Sequence, residues 1–84
     1  MASIRYIRNV LIDGQKATLE IMLGTRAMAD KCYARINKEP EIWFVPTQES
    51  RQAIVAQGLS IIKEKIKGKE VRLPDGTAFN WEGG

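Results

Sequence analysis

The chain predicts a small α+β domain in which two helices pack against a mixed or antiparallel sheet, with element order ββαβαββ. Three observations carry this. Residues 3–12 and 16–23 alternate apolar and polar side chains around Asp13-Gly14, as the arms of a hairpin do. Residues 26–37, and a longer stretch running from Thr47 toward Gly68, repeat apolar residues at spacings of three and four, as amphipathic helices do. A chain of 84 residues with a hydrophobic fraction of 44% and a charged fraction of 27% suits one domain, 1–84, with one small core.

The opening hairpin is the best-defined element. Asp-Gly suits a two-residue type I′ turn, whose central residues both need positive φ. That turn sets Ile12 opposite Gln15 and Ile4 opposite Leu23. Ile4, Tyr6, Val10, Ala17, Leu19, Ile21 and Leu23 then share one face, which is the predicted core side. Two features break the alternation. Arg8 falls on the apolar face opposite Leu19, explained by a β-bulge or by an arginine whose head reaches water. Ile7, Leu11 and Met22 fall on the polar face, which predicts cover by a helix or by another copy of the chain.

Thr25 is the expected N-cap of the first helix. Met28, Ala29, Cys32, Tyr33 and Ile36 form its apolar stripe, and Asn37 and Pro40 close it. Glu41–Val45, "EIWFV", is short and apolar without alternation, so it reads as a strand buried on both faces. Thr47 is the expected cap of a second helix of about 20 residues. Its buried stripe is Ile54, Val55, Leu59, Ile62 and Ile66. Gly58 lies on that stripe, implying close approach of another backbone, and Gly68 ends the helix. The terminal "KEVRLPDGTAFNW" reads as a second hairpin turning at Pro74-Asp75-Gly76. Leu73 would face Thr77, Val71 would face Phe79, and both would share a face with Trp81.

The residue inventory excludes the familiar catalytic sets. There is no histidine, which removes the commonest general base and zinc ligand. Cys32 is the sole cysteine, so no internal disulfide forms, and it reads as a small core residue. Neither a dinucleotide-binding nor a P-loop glycine pattern is present. Glu39 and Glu41 read as a solvated pair beside Pro40, and Asp13 and Asp75 as turn residues. The expectation is no enzyme: no catalytic residues, no metal, no cofactor and no small-molecule substrate. No apolar run approaches the ~18 residues of a membrane helix, and the first residues are broken by Arg5 and Arg8. A cytoplasmic location away from the membrane is expected.

Binding is the remaining class. The expected partner is a protein, including a second copy in a homodimer, for an accessory or regulatory role. The predicted interface is Ile7, Leu11, Met22 and Trp43. The alternative partner is nucleic acid or another polyanion. Lys63, Lys65, Lys67, Lys69 and Arg72, against Glu64 and Glu70, hold a surplus of three positive charges, equal to the net +3 of the whole chain. Phosphate neutralisation by such a patch gives salt-dependent binding. The same cations also complement the negative end of a helix macrodipole. A further reading comes from the tail "WEGG". The ββαβ start and the closing Gly83-Gly84 resemble the β-grasp proteins related to ubiquitin and the small sulfur carriers. That resemblance implies a terminal glycine carboxylate that is adenylated and reaches into a partner's active site. The long second helix and the terminal hairpin depart from that family's pattern.

Overall fold

Asp13 and Gly14 adopt φ of 49° and 81°, the left-handed conformation a I′ turn requires. They join β1 (Arg5–Ile12) to β2 (Gln15–Met22) in a register unbroken from Ile12 opposite Gln15 to Arg5 opposite Met22. This computed structural model describes residues 5–24 and 31–82. No bulge interrupts the hairpin. Arg8 stays opposite Leu19 and lies over the Tyr6 ring, 4.6 Å from its centroid, so its stem covers apolar surface while its head stays exposed. Tyr6, Val10, Leu19 and Ile21 are buried, as their parity predicts.

The next region departs from expectation. Cys32–Ile36 is a strand, β3, antiparallel to β2, where the spacing predicts the second half of a helix over 26–37. Thr25, Met28 and Ala29 lie outside the described residues. The run Cys-Tyr-Ala-Arg-Ile satisfies both periods, three-to-four and two, because it is too short to separate them. In the strand, parity sets Cys32, Ala34 and Ile36 on one side and Tyr33 and Arg35 on the other. Cys32 and Ala34 are fully buried. Asn37, at φ 55°, extends the ladder by one rung. Its N–H donates to the Thr18 carbonyl at 2.8 Å, and its Oδ1 accepts the Thr18 N–H at 2.9 Å.

Ile42–Phe44 forms β4, antiparallel to β3 and at the edge of the sheet. It is not buried on both faces: Trp43 is 54% and the adjoining Val45 68% exposed. The helix that follows, α1 (Arg51–Lys65), has 15 residues rather than about 20. Ser50, not Thr47, is its N-cap and accepts the Ala53 N–H at 3.2 Å. Thr47 instead donates its own N–H to Gln57 Oε1 at 2.9 Å. Ile54, Val55, Gly58, Leu59 and Ile62 are its buried face. Leu59 and Ile62 are wholly removed from water, each contributing about 1.5–3 kcal/mol. A Cβ at Gly58 would lie 2.8 Å from Ile21 Cδ1. The glycine therefore admits a side chain of β2, not a neighbouring backbone.

β5 (Val71–Arg72) pairs antiparallel with β1 at the opposite edge. The sheet order is β4-β3-β2-β1-β5. Every strand pair is antiparallel, so the sheet is not mixed. The terminal turn forms in the expected register, with the Leu73 N–H on the Thr77 carbonyl at 2.8 Å. Its second arm makes only one bridge, Arg72 to Ala78, and adds no further strand. Phe79 is buried, and Trp81 meets it edge-on at 4.9 Å. The described residues thus form one small α+β domain, a curled five-stranded antiparallel sheet with one helix. Their order is β1-β2-β3-β4-α1-β5, and residues 25–30, between β2 and β3, lie outside the described residues. Gly83 and Gly84 lie outside the described residues.

Candidate functional site

α1 packs on one side of the sheet, and strand register places the remaining chemistry on the other. Across that outer face, Arg5, Met22, Tyr33 and Trp43 form one row. Ile7, Glu20 and Arg35 form the next. Glu20 is the buried charged residue among those described. An ionised carboxylate is costly to bury unless it is paired, and Glu20 is paired twice. Arg35 Nε donates to its Oε1, and Arg5 Nη1 lies 3.2 Å from its Oε2. Arg35 then reaches Glu41 Oε1 at 3.2 Å and stacks over the Tyr33 ring at 5.6 Å. This network welds β1, β2 and β3 to the start of β4. The diagonal between Arg5 and Glu20 follows from the hairpin register. Arg35 was out of reach of sequence reasoning, because its placement needs β3.

Tyr33 and Trp43 meet edge-to-face, centroids 5.1 Å apart at 67°. More than half of Trp43 still faces outward, with Val45 beside it. Lys31, Trp43, Phe44 and Val45 line a groove of about 410 Å³ along this edge. Among the described residues, nothing pairs with the outer side of β4.

The predicted interface residues do not form one patch. Ile7 is 51% exposed but stands beyond the ion network from Trp43. Leu11 is half-buried at the far end of β1, opposite Arg72. Met22 has the expected parity but is buried, its thioether accepting the Gly24 N–H at 3.0 Å. It presents no surface, because it lies on the central strand between Arg5 and Tyr33. Val45, read as buried, is the exposed neighbour that joins Trp43.

The basic stretch also divides. Lys63, Lys67 and Lys69 line a groove of about 330 Å³ together with Trp81 and Glu64. Lys63 Nζ sits 6.0 Å from the Trp81 ring centroid. Lys65 turns away to Glu39, 2.8 Å from its Oε1. Arg72 makes a forked pair with Glu70, at 2.8 and 3.1 Å, and donates to the Gly76 carbonyl. That guanidinium holds the Glu70 carboxyl below its ordinary value. Glu39 and Glu41 have separate cationic partners, Lys65 and Arg35. Among the described residues, no three His, Cys, Asp or Glu side chains converge. Nor is any helix among them long and apolar enough to cross a membrane. No protein-family model, curated protein or solved structure matches this chain.

Proposed function

We propose that the protein is a small non-enzymatic binding module of the cytoplasm, accessory or regulatory in role, that pairs with a second copy of itself through the outer edge of β4. One observation carries the reading: an apolar edge strand whose outward residues, Trp43 and Val45, remain 54% and 68% exposed. An edge strand carries backbone donors and acceptors ready for another strand. Pro40 and Pro46 bracket the segment and lack N–H groups, so pairing is confined to 41–45.

Charge favours a second copy as the occupant. In an antiparallel, two-fold pairing centred on Trp43, the two indoles lie side by side, and Ile42 of each copy meets Phe44 of the other. Glu41 then lies beside Val45 of the other copy, whose next neighbour across the strands is Lys31. By parity Lys31, Glu41, Trp43 and Val45 share the outer face. The opposite charges stand two strand spacings apart, about 10 Å between backbones, within reach of two long side chains. The segment is short, so the dimer is weak and concentration-dependent.

Sedimentation velocity across a concentration series tests this. The native chain should shift from monomer to dimer, and Val45→Glu, which sets like charges beside Glu41 of the other copy, should remain monomeric while folding normally. A native chain that stays monomeric throughout, or a Val45→Glu variant that dimerises equally, contradicts the proposal. A second reading, polyanion binding, is favoured by the convergence of Lys63, Lys67 and Lys69 on Trp81. If Lys63→Glu with Lys67→Glu leaves retention on heparin unchanged, that reading fails. Removing Gly83-Gly84 tests the carrier-like tail, since a carrier would lose all transfer activity.

A further inference from the structure

The surplus charge of the chain gathers in one groove. Ile61–Arg72 holds five cations against two carboxylates, and the rest of the chain balances, eight against eight. Two of the five are neutralised, Lys65 by Glu39 and Arg72 by Glu70. Lys63, Lys67 and Lys69 have no ion-pair partner among the described residues. These three share the groove of about 330 Å³ with Trp81 and a single carboxylate, Glu64. A groove lined by one sign of charge attracts the opposite sign.

The end of the helix does not occupy these ammonium groups. Carbonyls of the last turns already accept backbone N–H groups: Ile62 from Ile66, Glu64 from Lys67 and Ile66 from Lys69, at 3.1, 3.4 and 3.0 Å. The three lysines are exposed, so their heads are open to a ligand. Lys63 and Lys67 stand about one helical turn apart, about 6 Å along the axis, comparable to successive phosphates of an extended strand.

Trp81 gives the groove a second kind of surface. The residue is half-buried, and its ring is braced edge-on against the buried Phe79, centroids 4.9 Å apart at 79°. Lys63 Nζ lies 6.0 Å from the indole centroid, at the outer limit of a cation–π contact, so the ammonium is held there only loosely. A braced indole beside unpaired cations is the combination that binds unpaired strands: the charges follow the phosphates and a base stacks on the ring. A duplex keeps its base faces inside the stack, and a sulfated sugar has none.

We propose that the groove between the end of α1 and Trp81 binds single-stranded nucleic acid without sequence preference, with Lys63, Lys67 and Lys69 on phosphates and one base stacked on Trp81. This rests on the polyanion reading above and narrows it to one partner. It does not depend on pairing at the β4 edge.

The test is fluorescence anisotropy of a fluorescein-labelled oligothymidylate of about ten nucleotides, titrated with the full chain. Binding should show a Kd on the order of 10 μM in low salt and a log–log salt slope of about −2, as three phosphate contacts on a single strand require. Trp81→Leu should weaken oligothymidylate binding about tenfold and leave heparin retention unchanged, because heparin offers no base. Trp81→Tyr keeps an aromatic face and should bind nearly as the native chain does. In a Trp43→Phe chain the remaining indole should be quenched by oligothymidylate and not by heparin. Affinity for oligothymidylate indifferent to Trp81→Leu, a loss as large in Trp81→Tyr, or an indole that oligothymidylate does not quench overturns the single-strand assignment. The polyanion reading survives those results as long as heparin retention falls with Lys63→Glu and Lys67→Glu together. Heparin retention indifferent to that pair removes both.

Discussion

At one edge of the sheet, β5 is met by the segment that follows it. Arg72 bridges Ala78, Leu73 reaches Thr77, and Phe79 folds back into the core. Charge from Arg72 and Glu70, and Pro74 at the turn, further blunt that side. At the other edge, β4 ends in open groove, with Trp43 and Val45 turned outward. Natural sheets protect their edges because an unpaired strand recruits others. Among the described residues one edge of the sheet is protected and the other bare, and the proposed contact through β4 rests on that difference. The flanking prolines limit that contact to one short register rather than open-ended stacking.

Breaking the protected edge should have the largest effect. Phe79→Ala removes the buried ring that folds the cover back onto β5, and should cost about 3–5 kcal/mol in urea unfolding. It should also make the β5 edge associate, so that the two edges behave alike. Next comes the network that anchors β4 to the sheet. Glu20→Gln strips the charge that pairs Arg5 and Arg35, and should cost about 2 kcal/mol. Much of that loss should vanish in 1 M salt if the pair were exposed, and should persist if it is shielded as its burial implies. Gly58→Ala gains about 1 kcal/mol of helix propensity but drives a methyl into Ile21, an overpacking cost of about 1–3 kcal/mol. The net should be a loss of about 1 kcal/mol, relieved by adding Ile21→Val.

The smallest effect is on pH. The forked bond from Arg72 lowers the Glu70 pKa, and the Thr77 hydroxyl and N–H lower that of Asp75. A carboxyl with a depressed folded-state pKa stabilises the fold above its ordinary range and loses that contribution as pH falls through the folded value. Both groups are fully exposed, so the effect is local. In an acid titration, the protection of the Thr77 amide relative to its intrinsic exchange rate should fall below the ordinary carboxylate range while that of the β4 amides holds.

What could be read from the chain follows the strength of local signals. The Asp13-Gly14 turn allows only one register, so the hairpin and its buried face were legible from Tyr6 to Leu23, Ile4 lying outside the described residues. The same holds for the stripe from Ile54 to Ile62 and for the pairing of Leu73 with Thr77. The middle of the chain was not legible. Cys32–Ile36 fits a helix and a strand equally by period, and only pairing with β2 decides between them. Ile42–Val45 is apolar on both sides, which resembles a central strand. Its position at the edge is set by the β3–β4 hairpin and by α1 carrying the chain across to β5. The candidate edge was therefore half visible: Trp43 was singled out, but Val45 and Lys31 acquire meaning only once β4 is known to be outermost.

Isotope-filtered NOE spectroscopy on a one-to-one mixture of ¹³C-labelled and unlabelled chains tests the β4 pairing most directly. The account predicts cross-chain contacts between Ile42 and Phe44 and between the two Trp43 indoles. Cross-chain contacts confined to other residues, or none at concentrations where light scattering reports a dimer, would contradict it.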